Sequence, residues 1–95
     1  MTDAPRLNFI TFVVSFARTA AVHFGDVPDP VTGDRRTDLP AAAQMIDVLA
    51  MLEEKTRGNL SAEEQSTLEQ LLYELRVRYV QARQAGGGDD PSSNR

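Results

Sequence analysis

The 95-residue chain has no cysteine and no tryptophan, and it has a single histidine, His23. Without thiols, neither a disulfide nor a thiolate metal site is available to staple so small a domain. A catalytic histidine needs a nucleophile or a substrate proton within hydrogen-bond reach, and usually an orienting carboxylate. Ser15 and Thr19 precede His23 on one helical face, an arrangement that a partly buried histidine at a helix end explains as well. The run Gly86–Gly88 follows a helical segment instead of linking a strand to a helix, so it is no phosphate cradle. Long apolar runs are missing too. The greasiest stretch, Leu7–Phe24, is interrupted by Asn8, Arg18 and His23, whereas a membrane span needs about 20 apolar residues. Met1–Arg6 holds Asp3 and Pro5 and does not read as a secretory leader. The expectations are no catalytic, cofactor-binding or metal-ligating residues, no enzyme activity, no membrane span and a cytoplasmic location.

Charge of positive sign is also sparse. The formal net charge is −4, and the middle of the chain is the acidic part: residues 38–72 hold seven Asp or Glu against two Lys or Arg. A surface of that sign repels phosphate backbones, so nucleic acid is not the expected partner. Arg76, Arg78 and Arg83 form a small basic group near the C-terminus, which the dipole of a helix end explains without a ligand. Asp26, Asp29 and Asp34 lack the alternating ligands and closing bidentate Glu of a calcium loop.

What is present is helix. From Asp38 to Tyr79 the apolar residues recur three and four apart, and the punctuation is complete. Asp38 and Pro40 open one helix, and Gly58 closes it. Ser61 and Glu64 then form the S-x-x-E box that opens another. So close a stop and start specify an antiparallel αα-hairpin. Its inner stripes are Leu39, Ala42, Ile46, Leu49 and Ala50 on one helix and Leu68, Leu71, Leu72, Leu75 and Tyr79 on the other. Tyr73, Val77 and Val80 make a second, shorter line on a flank of the last helix. Glu53–Arg57 and Glu74–Arg78 have the spacing of supporting ion pairs.

An N-terminal helix precedes the hairpin, with Asn8 as N-cap and Gly25 just past its end. It has an aromatic line (Phe9, Phe12, Phe16, Ala20) and an aliphatic line that includes Val13 and Val14. A helix apolar on two sides implies two neighbours. The sequence therefore predicts an all-α, three-helix domain over residues 7–85, with helices at about 8–24, 39–57 and 61–85 and flexible tails at 1–6 and 86–95. It also predicts a homodimer or small homo-oligomer formed through Phe9, Phe12, Val13, Phe16 and Ala20. Residues 25–37 read as a long connection, a usual place for function. The polar turn residues Lys55, Thr56, Arg57 and Asn59 form a candidate recognition loop.

The runs TFVVSFA, GDVPDPVTG, IDVLAMLEEKTRGNLSAEE and LLYELRVRY together resemble a bacterial family of short proteins carrying a domain of unknown function. The likeness covers about Phe9 to Val80. It implies a helical fold and a stand-alone cytoplasmic protein, with no assigned activity or cofactor. It also implies genes near that of a translation initiation factor in some bacteria. The function expected is a self-associating interaction or adaptor module. The alternative is a ribosome- or RNA-associated accessory factor using Lys55, Arg57, Arg76, Arg78 and Arg83.

Overall fold

The computed structural model describes residues 8–89, with side chains as far as residue 85. Its elements are three helices: α1 (Phe9–His23), α2 (Leu39–Lys55) and α3 (Ala62–Asp89). They run up, down and up, and each touches both of the others. Among the described residues there is no strand, so the chain is all-α as predicted.

The helix ends are set by local chemistry. Asn8 Oδ1 accepts from the Thr11 amide at 2.8 Å, and Asp38 Oδ1 accepts from Ala41 at 3.1 Å. At the start of α3 the bonds are reciprocal. The Glu64 amide donates to Ser61 Oγ at 3.1 Å, while the Ser61 amide donates to Glu64 Oε1 at 2.8 Å. Each end so capped loses fewer amides to solvent competition. At the end of α1, the Gly25 amide reaches Val22 O and the Asp26 amide reaches Ala21 O, both at 2.9 Å. Gly25 takes φ +81° to allow this, the left-handed cap that a Cβ disfavours. Gly58, at φ +88°, turns the chain between α2 and α3. Helix α3 carries on through Gly86–Gly88 to Asp89, past the expected end at 85. Glycine is a poor helix former, but extending an existing helix fixes one residue per added hydrogen bond, which is far easier than nucleation. The tail expected at 1–6, and residues 90–95 of the one expected at 86–95, lie outside the described residues.

The core lies between all three helices. Val13, Ala20 and Phe24 from the first segment meet Ala42, Ile46 and Leu49 of α2 and Leu68, Leu72, Leu75 and Ala82 of α3. Phe9, Phe12 and Phe16 are half-buried against this cluster, and the Phe12 and Phe16 rings meet edge to face at 5.0 Å. The residues expected to form a self-association surface contribute to this core to different degrees. Val13 and Ala20 are wholly buried within one chain, and the phenylalanines beside them already pack on it. Because α1 lies against both α2 and α3, much of its apolar surface is taken up inside the subunit, although Val14 stays 38% exposed.

Candidate functional site

Apolar surface is left in solvent on the far side of α3. Leu68, Leu72, Leu75 and Ala82 point into the core. At 3.6 residues per turn, Tyr73, Val77 and Val80 fall on the opposite side of the same helix. Their exposures are 68%, 38% and 52%. Other exposed apolar residues, such as Val14 and Met51, sit on other helices, and scattered single positions are ordinary. Tyr73, Val77 and Val80 instead form one continuous strip. Together with Arg76 and Gln81 they line a shallow depression of about 320 Å³.

The charged groups beside this strip are not neutralised within the chain. Among the described residues, the ion pairs are Arg78–Asp26 and Arg36–Asp34, so neither Arg76 nor Arg83 has an acidic partner there. Glu69 accepts from Gln65 Nε2 at 2.7 Å, and Glu74 accepts from Gln70 Nε2 at 2.6 Å. The predicted pairs Glu74–Arg78 and Glu53–Arg57 do not form. Arg78 turns instead toward the connection between α1 and α2, where a better acceptor waits. It grips Asp26 with two parallel bonds, Nε to Oδ2 at 2.7 Å and Nη2 to Oδ1 at 2.6 Å. Its guanidinium also lies 5.2 Å from the centre of the Phe24 ring. A planar fork suits both a carboxylate and an aromatic face. The bonds from Arg78 hold the Asp26 carboxyl below its ordinary range, with partial burial opposing them, and Asp26 in turn raises Arg78.

That latch ties down the 25–37 connection, which is shaped by its own polar groups. Asp29 Oδ1 accepts from the Val31 and Thr32 amides at 2.7 and 3.2 Å. The Asp29 amide donates to Asp34 O at 2.8 Å, and Arg35 reaches Asp26 O at 3.3 Å. A cleft of about 480 Å³ lies between this connection and the start of α2, bordered by His23, Asp29, Asp34 and Arg36. Asp29 and Asp38 on its border are already bonded to backbone amides. Among the described residues no group of acids and histidine is placed to hold a metal ion. Nor is His23 joined to a hydroxyl: Thr19 Oγ1 donates to Ser15 O, and Ser15 Oγ donates to Phe12 O.

The candidate recognition turn is partly accounted for by folding. The Thr56 hydroxyl donates to Leu52 O at 2.7 Å, which engages its one donor hydrogen. Lys55, Arg57 and Asn59 are exposed. They stand at the α2–α3 turn, whereas Arg76 and Arg83 lie roughly 20–30 Å further along α3 at 1.5 Å per residue. The five basic residues considered for RNA thus divide between two places, and Arg78 is committed to Asp26.

Comparison with known proteins matches residues 6–81 to a domain of unknown function, DUF1844. The chain belongs to the DUF1844 family. The match takes in all of α1 and α2, both connections and α3 as far as Gln81, so the Arg78–Asp26 latch and the Tyr73–Val80 strip both lie inside the family's domain. No curated protein and no solved structure matches the DUF1844 chain. No described helix is long and apolar enough to cross a membrane.

The α3 strip was legible as a line of apolar residues, but its exposure was not. A helical wheel shows that a helix has two apolar sides. Which side is covered depends on where the other helices lie.

Proposed function

We propose that this DUF1844 protein is a non-enzymatic, cytoplasmic interaction module whose contact face is the outer side of α3. The observation that carries the reading is the continuous exposure of Tyr73, Val77 and Val80 on a helix whose other side is fully engaged in the core. An amphipathic strip of this kind, read at three- and four-residue spacing, is the surface on which one helix accepts another. Tyrosine and arginine are the residue types that most often dominate such contacts, and Tyr73 and Arg76 stand side by side here.

A photo-reactive benzophenone amino acid placed at position 73 tests this in cells, with position 31 as control. Val31 is more exposed, at 90%, but lies on the loop. The expected result is discrete adducts from position 73 and none from position 31. Equal yields at the two positions, or none at 73, would defeat the proposal. The RNA-associated reading is less well supported, because its basic residues are divided. It requires cosedimentation with ribosomes that fades as salt is raised, and no association at low salt removes it.

A further inference from the structure

We infer that the occupant of the α3 face is a second copy of this chain, laid antiparallel along the first about a two-fold axis near Arg76 and Val77. The inference rests on the reading of that face as a contact surface. What selects a second copy is the order of charges along one flank of the strip. At 100° per residue, Glu69, Arg76 and Arg83 share the same edge, with the acid toward the start of α3 and the bases toward its end. In an antiparallel pair each flank faces the same flank of its neighbour, reversed. Tyr73 of one copy then lies over Val80 of the other, and Glu69 falls opposite Arg83 within about one residue of register. The two-fold repeats both contacts. The complementary charges are available: Arg83 has no acidic partner among the described residues, and Glu69 is engaged only by the neutral Gln65.

A parallel pair would instead set the Glu69 edge against the opposite edge of the strip, where Glu74 lies level with Arg76, leaving Glu69 and Arg83 opposite the neutral Gln70 and Gln81. Antiparallel helices also align their dipoles favourably. One unfavourable contact accompanies the chosen arrangement, because the two Arg76 side chains approach each other at the axis. The strip is narrow compared with the roughly 800 Å² per partner of a standard interface. The association is therefore concentration-dependent, with monomer and dimer exchanging in the micromolar range and above.

The absence of cysteine makes the arrangement directly testable on the full chain. Val77→Cys lies beside the proposed axis, and Ser66→Cys lies on the same side of α3 nearer its start. In the antiparallel pair the two copies of position 77 are separated by little more than the interaxial distance of about 8–10 Å. The two copies of position 66 lie roughly 30 Å apart. A short bismaleimide is expected to join Val77→Cys chains and to leave Ser66→Cys chains single. Sedimentation equilibrium supplies the second arm, with circular dichroism confirming that each variant is helical. Glu69→Arg and Arg83→Glu should each weaken the dimer about fivefold, and the double reversal should restore it to within about twofold. Arg76→Gln should tighten it. Efficient joining at position 66, or a double reversal weaker than either single one, overturns the antiparallel arrangement. A chain that stays monomeric up to millimolar concentration overturns the second copy as occupant. If position 73 then forms adducts with a different protein, the contact-face reading survives, whereas loss of all adducts removes both.

Discussion

Helices α1 and α3 each present two apolar lines, and the chain covers more of those of α1 than of those of α3. In α1 the lines are richer, with three phenylalanines and a run of β-branched residues, and α2 and α3 between them take up Val13 and Ala20 fully and the phenylalanines and Ala17 in part. In α3 the inner line of Leu68, Leu72, Leu75 and Ala82 is buried, while Tyr73, Val77 and Val80 stay in solvent. The greasiest segment of a small protein is not thereby its most exposed one. Strongly apolar segments tend to be placed where the fold can enclose them, because burial is worth about 25 cal/mol per Å². A shorter apolar line on the outside of the bundle leaves more apolar surface in solvent here than a longer one near its axis.

The inner side of α3 should give the largest effect. Leu68 is fully buried, and Leu68→Ala is expected to cost about 2–5 kcal/mol, read by denaturant unfolding. For so small a domain that is a large share of the total stability. A loss under about 1 kcal/mol would mean that the described core does not set the stability.

Next comes the covered side of α1. Full burial makes Phe→Ala cost about 3–5 kcal/mol. Phe12 is half-buried, so Phe12→Ala should cost roughly 2 kcal/mol by the same scale, and the loss should not depend on protein concentration. If the cost appeared only at high concentration, Phe12 would be serving an interface between chains, and the contrast between the helices would dissolve.

How much of this could be read from the sequence divides along the same line. The helix ends were legible because each is settled within a few residues: Asn8 with Thr11, Asp38 with Ala41, Ser61 with Glu64, and Gly25 and Gly58 at their caps. The hairpin followed from them. Two other features depend on distant neighbours. The partner of Arg78 lies 52 residues away at Asp26, and local spacing pointed instead to Glu74. The burial of Val13 and Ala20 depends on which sides of α1 face α2 and α3, and periodicity carries no information about that. The candidate site shared this fate. Its residues stood out as a line, and only the packing of three helices showed that the line faces solvent.

A smaller effect tests the latch that fixes the connection to α3. Asp26 and Arg78 are partly exposed, so the pair should contribute about 0.5–1 kcal/mol even with bidentate geometry. The Asp26 carboxyl is held below its ordinary value by Arg78. Its contribution is therefore present above the unfolded value, near 3.8, and disappears as pH falls through the lower folded value. Unfolding of the natural chain and of Asp26→Asn should differ at pH 7, and the difference should shrink in acid. A difference that grows in acid would mean that Asp26 is not held as an ion by Arg78.

The smallest expected effect completes the contrast. Tyr73 is 68% exposed and its ring makes no aromatic stacking pair among the described residues, so the monomer has little to lose when it is replaced. Tyr73→Gln should leave unfolding at low concentration unchanged within about 0.5 kcal/mol, since surface changes remote from caps and cores rarely do more. Glutamine is at least as good a helix former as tyrosine, so propensity will not mask the result. At high concentration the same variant should lose whatever stabilisation association gives the natural chain, because a partner that binds only the folded state raises its stability by mass action. A variant destabilised equally at every concentration would place Tyr73 in the fold with Leu68, and the outer side of α3 would then be structural like the inner one.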